Sequence, residues 1–65
     1  VDPTACLKCA ADLFNAGDHA GADEALRDYA QWREHGGFEP PQVPGFGLPG
    51  DRFARNLRAK IEALR

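Results

Sequence analysis

The stretch from Gly36 to Gly50, Gly-Gly-Phe-Glu-Pro-Pro-Gln-Val-Pro-Gly-Phe-Gly-Leu-Pro-Gly, constrains this chain more than any other part of it. Five Gly and four Pro in fifteen residues exclude both a helix and an interior strand. Proline lacks the backbone donor that either ladder needs, and glycine loses the most freedom on being ordered. The chain must therefore fold as one unit before this segment and another after it. Yet Phe38, Val43, Phe46 and Leu48 recur along it, which is too many large apolar groups for a solvated linker. An ordered, extended strap is expected at residues 36–50, packing these four side chains on its neighbours. At about 3.1 Å per residue it reaches roughly 45 Å, against about 25 Å for the helix before it.

On either side of the strap the pattern is helical. Asp2-Pro3 supplies an N-cap and a first-turn proline, and Cys6, Leu7, Ala10, Leu13 and Phe14 fall on one face of a helix at about 3–16. Gly17 suits a left-handed stop, and Asp18 can cap a second helix at about 19–35. That helix carries Ala22, Ala25, Leu26, Tyr29 and Trp32 on its apolar side and an Asp23–Arg27 pair outside. A connection this short makes the two an antiparallel hairpin. After the strap, Asp51 is the expected cap of a third helix at about 51–64, whose stripe is Phe53, Leu57, Ile61 and Leu64. The expected fold is all-α: an antiparallel helical hairpin, a Gly/Pro-rich strap and a third amphipathic helix packed on it, in one small domain.

Size limits what such a domain can do. The chain has 65 residues, of which Leu, Ile, Val and Phe make up 13. A core of this scale supplies about 3–5 kcal/mol, so a metal, a disulfide or a second copy of the chain is a reasonable expectation. A homodimer is the simplest of these. No apolar run approaches the roughly 18 residues of a membrane helix, and the chain reads as cytoplasmic. Serine is absent, no phosphate-cradling Gly-x-x-x-x-Gly-Lys loop occurs, and no pair of carboxylates marks a cleft. An enzyme is not expected.

Cys6-Leu7-Lys8-Cys9 is the one motif with chemical character. Two thiols three residues apart near a helix start fit three readings. They are packing residues, a redox pair, or ligands of a zinc ion with one histidine. His19 and His35 stand about 24 Å apart along one helix, so one metal cannot take both. His35 is the better third ligand, because an antiparallel hairpin returns that helix end towards Cys6 and Cys9. Packing is the preferred reading, with zinc as the one cofactor the motif allows.

Charge is uneven: residues 1–50 sum to −5 and residues 51–65 to +3. The basic helix is expected to lie beside the acidic hairpin. Its outward Arg52 and Arg55, with Arg58 towards one edge, are also the groups that would meet an acidic partner, nucleic acid being the less favoured one. Trp32, Phe38 and Phe46 are the candidate anchors for a protein partner, since aromatic and arginine side chains dominate such contacts.

Two resemblances attach to particular segments. Residues 10–32, with the Gly17-Asp18 turn and Glu24-Ala25-Leu26 step, resemble the turn and second helix of a tetratricopeptide repeat. No second copy follows at the family's period of about 34 residues, and Ala20-Gly21 replaces the bulky residue usual after the turn. The resemblance therefore implies a lone hairpin. Trp32-Arg33-Glu34-His35-Gly36-Gly37-Phe38-Glu39-Pro40 is similar to a segment of short actinobacterial and actinobacteriophage proteins of no assigned activity. Abundant Ala, Gly, Pro and Arg agree with a high-GC bacterium or its phage. The functional expectation is a small non-catalytic protein-binding protein, an accessory, adaptor or inhibitor. A Cys-dependent metal or redox role is the alternative, followed by nucleic-acid contact through the third helix.

Overall fold

Two aspartates start the first two helices. Asp2 accepts from the amides of Thr4 and Ala5 at 3.0 and 3.3 Å, with Pro3 at the first helical position. Asp18 accepts from the Gly21 amide at 2.9 Å. Each carboxylate thereby satisfies amides that the first helical turn leaves without partners. In the computed structural model, which describes residues 2–64, these caps open α1 (Pro3–Asn15) and α2 (His19–Glu34). Between them Gly17 takes φ +86°, where a side chain would be strained, and turns the chain back within three residues. The third helix, α3, spans Gly50–Ala63. All three match the expected ranges to within a residue at each end.

Small side chains let the hairpin close tightly. Leu7, Ala10 and Ala11 of α1 meet Ala22, Leu26 and Tyr29 of α2, and all six are buried. Most of the contact between helices lies here, and α3 touches the pair more sparsely. It does so through Phe53, Leu57 and Ile61, with Ile61 fully buried. The radius of gyration is 10.8 Å, matching the roughly 10.7 Å of a globule this long. The strap therefore folds α3 back onto the hairpin and does not extend it away. Among the described residues there is no strand.

The strap is ordered, but only part of it is core. Val43 and Pro40 are fully buried and Leu48 is half-buried. The Val43 amide donates to the Leu48 carbonyl at 2.8 Å, closing a loop over Pro44–Gly47. Phe38 and Phe46 depart from expectation: they are 65% and 48% exposed. Gly45 and Gly47 take φ +86° and +68° on either side of Phe46, and the tight loop holds that ring at its tip. Leu64 departs likewise, at 60% exposed, standing at the C-cap just after α3 ends at Ala63. Arg65 of the basic segment lies outside the described residues.

The start of α3 is the remaining correction. Its N-cap is Pro49, with no side-chain cap of its own, and Asp51 lies inside the first turn. The cap comes from elsewhere: the Glu39 carboxylate accepts from the Asp51 amide at 2.8 Å.

Candidate functional site

Glu39's reach across the strap belongs to a polar junction that fixes α3 against α2. The Arg33 guanidinium grips Asp51 with both arms, Nε to Oδ1 and Nη2 to Oδ2, each at 2.9 Å. The Tyr29 hydroxyl donates to the same Oδ1 at 2.6 Å. Arg33 uses its remaining arm on the Gly37 carbonyl at 2.7 Å, and the Gly50 amide donates to the Pro40 carbonyl at 2.9 Å. Tyr29 and Arg33 stand one turn apart on α2, so one face presents both donors to one carboxylate. The Arg33 guanidinium, then the Tyr29 hydroxyl, hold the Asp51 carboxyl below its usual range. Burial, reinforced by Asp51, pushes the Tyr29 phenol well above its ordinary value. The Tyr29 hydroxyl and all three nitrogens of the Arg33 guanidinium bond protein acceptors. The cluster joins α2, the strap and α3.

Anchored this way, α3 stands as a ridge with a groove along each flank. The first groove lies between α1, the strap and α3 and encloses about 360 Å³. Phe14, Phe46, Leu48, Phe53 and Leu57 form its apolar surface. Phe46 packs edge-to-face on Phe53, ring centroids 4.7 Å apart. Asn15, Asn56 and Lys60 edge it, and Lys60 is the only charged lining group among the described residues.

The second groove, of about 330 Å³, runs between α2 and α3. Leu26, Ala30 and Ala54 contribute its apolar part, and Tyr29, Arg33 and Asp51 bring one face of the junction into it. Glu34, Arg55 and Arg58 complete the walls. Arg52, Arg55, Arg58 and Lys60 are all exposed, and none forms an ion pair among the described residues.

The candidate residues named from sequence are thus distributed over several places. Phe46 edges the first groove and Arg55 and Arg58 the second, while Arg52 stands on the exposed side of α3. Trp32 and Phe38 meet each other edge-to-face at 5.1 Å, apart from both grooves. Gly37 lies so close beneath the Trp32 ring that a Cβ there would come within 2.3 Å of it. Sequence reasoning missed the Tyr29–Arg33–Asp51–Glu39 junction, together with Phe14 and Lys60 on the groove. The i,i+4 spacing of Tyr29 and Arg33 was a usable signal, but what it faced depended on how the strap returned.

Cys6 and Cys9 are free thiols. Cys6 is half-buried against the core and its thiol donates to the Ala25 carbonyl at 3.2 Å, whereas Cys9 is exposed. Burial, then Asp28, push the Cys6 thiol up, opposite to what an attacking thiolate needs. His35 sits exposed at the C-cap of α2. Cys6, Cys9 and His35 do not gather, and no group of three or more metal-ligating side chains forms among the described residues. Nor is any helix among them long and apolar enough to cross a membrane.

Comparison with protein-family models, curated proteins and solved structures finds no match to this chain. The functional reading therefore rests on the geometry of these surfaces.

Proposed function

We propose that the chain is a small non-catalytic binding protein that receives an amphipathic, acidic helical segment of a partner protein in the groove between α1, the strap and α3. The observation that carries this reading is the make-up of that groove. Its surface is aromatic and aliphatic, its edge is amide, and among the described residues its one charge is Lys60 of the basic helix, which forms no ion pair there. A helix with an apolar stripe covers such a surface by the helix-in-groove mode, and carboxylates beside the stripe meet Lys60. Two free thiols, one of them exposed, fit a reducing, cytoplasmic setting.

The test is a titration of isotope-labelled protein with a designed amphipathic peptide carrying Leu and Phe on one face and Glu beside it. A twin peptide with Lys in place of Glu is the control. Saturable shifts are expected at Phe46, Leu57 and Lys60, with the Glu peptide about tenfold tighter. Ala59→Glu, an exposed change on the groove, should abolish them while leaving the helical signal intact. Equal affinity for the twins, or shifts on other faces, would overturn the reading. Sedimentation that rises with concentration and covers the groove would replace the partner by a second copy of the chain. Polyanion retention that fades steeply with salt would replace it by nucleic acid.

A further inference from the structure

We propose that the cleft between α2 and α3 is a binding site for a small monocarboxylic acid on a short apolar stem. This inference is independent of the peptide groove, which lies on the other flank of α3. Arg55 and Arg58 stand one turn apart on the same wall and are exposed. Arg55 acts on the Asp51 carboxyl, helping to hold it down, yet neither arginine forms an ion pair among the described residues. Two guanidinium groups with free donors are suited to a planar carboxylate, which accepts paired N–H bonds.

The rest of the cleft selects among anions. Ala30 and Ala54, both part-exposed, form a small apolar surface over the buried Leu26, and their short side chains leave room for a short hydrocarbon chain. The volume, about 330 Å³, lies at the lower end of small-molecule sites, which begin near 300 Å³. Charge sets the valence. Arg33 and Asp51 neutralise each other, Glu34 offsets one of the two remaining arginines, and the lining sums to +1. One negative charge balances that wall. A dianionic phosphate would carry an excess charge towards Glu34 and Asp51, and would leave the apolar surface uncovered.

The experiment titrates hexanoate, hexanol and inorganic phosphate separately into the labelled protein at fixed ionic strength. Backbone amides of Ala30 and Ala54 and the Nε–H groups of Arg55 and Arg58 report binding. Hexanoate should give saturable shifts at all four residues, and hexanol and phosphate should give none beyond a chloride control. Arg58→Gln should weaken hexanoate about tenfold, and the double variant Arg55→Gln, Arg58→Gln should abolish it. Both positions are exposed, and an unchanged helical signal shows that the variants remain folded. No saturable hexanoate shift, undiminished binding to the double variant, or phosphate displacing hexanoate would each overturn the proposal. A short peptide ending in a free leucine carboxylate serves as a further probe. If it binds the cleft more tightly than hexanoate, the occupant is a chain terminus and the small-acid reading fails.

Discussion

The hairpin and the strap–α3 unit are stabilised by opposite strategies. In the hairpin each helix starts with its own aspartate, and the turn between them is one left-handed glycine. The apposed faces are alanine and leucine with Tyr29 at one end, and no polar or charged residue is buried among the described residues. The strap has a local loop closed between Val43 and Leu48, but α3 has little local to hold it. The helix begins without a side-chain cap of its own, borrows Glu39 from twelve residues upstream, and is tied to α2 through Asp51. A hairpin made of near-neighbour contacts closes a short loop, whereas α3 closes a long one and must offset the greater entropy. The difference teaches that local caps and small side chains suffice for the first half. The second half depends on one polar junction, three apolar side chains of α3 and the buried Pro40 and Val43 of the strap.

Breaking the hairpin should have the largest effect. Leu26 is 1% exposed at its centre, and Leu26→Ala is expected to cost about 2–5 kcal/mol, comparable to the whole stability of a domain this small. Circular dichroism at 25 °C should then show loss of helix throughout the chain, α3 included. A variant that kept α3 while losing α1 and α2 would invert the comparison.

Gly50→Val should separate the halves. A Cβ at Gly50 would come within 2.6 Å of the Tyr29 hydroxyl and 2.7 Å of Pro40, atoms held by the junction and the buried strap. Such overpacking costs about 1–3 kcal/mol. Amide exchange should accelerate throughout α3 while α1 and α2 keep most of their protection. Uniform acceleration would mean that the two units unfold as one.

Tyr29→Phe removes one hydroxyl from Asp51 and should cost about 1 kcal/mol. The pH dependence has a definite sign. Asp51 is held below the ordinary value of 3.8 by Arg33 and Tyr29. Its contribution is therefore present above that value and is lost as the pH falls through the lower folded one. Tyr29 is raised above its ordinary 10.0. Its contribution is full below pH 10.0 and is lost as the pH rises through the higher folded value. Urea denaturation across pH 2–11 should show the alkaline limb shrink in Tyr29→Phe to the part left by the raised Cys6 thiol, and the acid limb shrink in Asp51→Asn. Unchanged limbs would show that the junction contributes nothing.

The smallest expected effect is at the borrowed cap. Glu39→Gln keeps an acceptor for the Asp51 amide but removes the charge at the helix start, a loss of about 0.3–1 kcal/mol. Asp18→Ala removes the corresponding local cap of α2 and should cost about 1 kcal/mol. Chemical denaturation of the two variants side by side compares losing the charge of the cap reached across the strap with losing the whole cap supplied in sequence. A larger loss for Glu39→Gln would reverse that ranking.

Much of the fold was legible because it rests on local chemistry. Asp2-Pro3, Gly17-Asp18 and Gly36-Gly37 mark the hairpin's ends, and the period of Leu7, Ala10, Leu26 and Tyr29 fixes its inner face. The α3 stripe was legible for Phe53, Leu57 and Ile61 but not for Leu64, since periodicity does not say where a neighbouring surface ends. The strap was legible as ordered, yet not in detail. Val43 and Phe46 are three residues apart and similarly apolar, but one is buried and the other 48% exposed. Their fates depend on the closed loop between Val43 and Leu48, which composition alone does not specify.

By itself the sequence determined three helices, a hairpin, and a Gly/Pro segment with apolar groups, because caps, turn glycines and helical periodicity act over a few residues. Only the tertiary structure decided which side of α3 is groove and which is junction. It also decided that Asp51 receives Arg33 in place of capping its own helix, and that Phe46 stands at a groove while Val43 is core. Those outcomes join residues 18 or 22 positions apart. Such pairs are set by the angle at which the strap returns the chain, and that angle follows from packing rather than from any local preference.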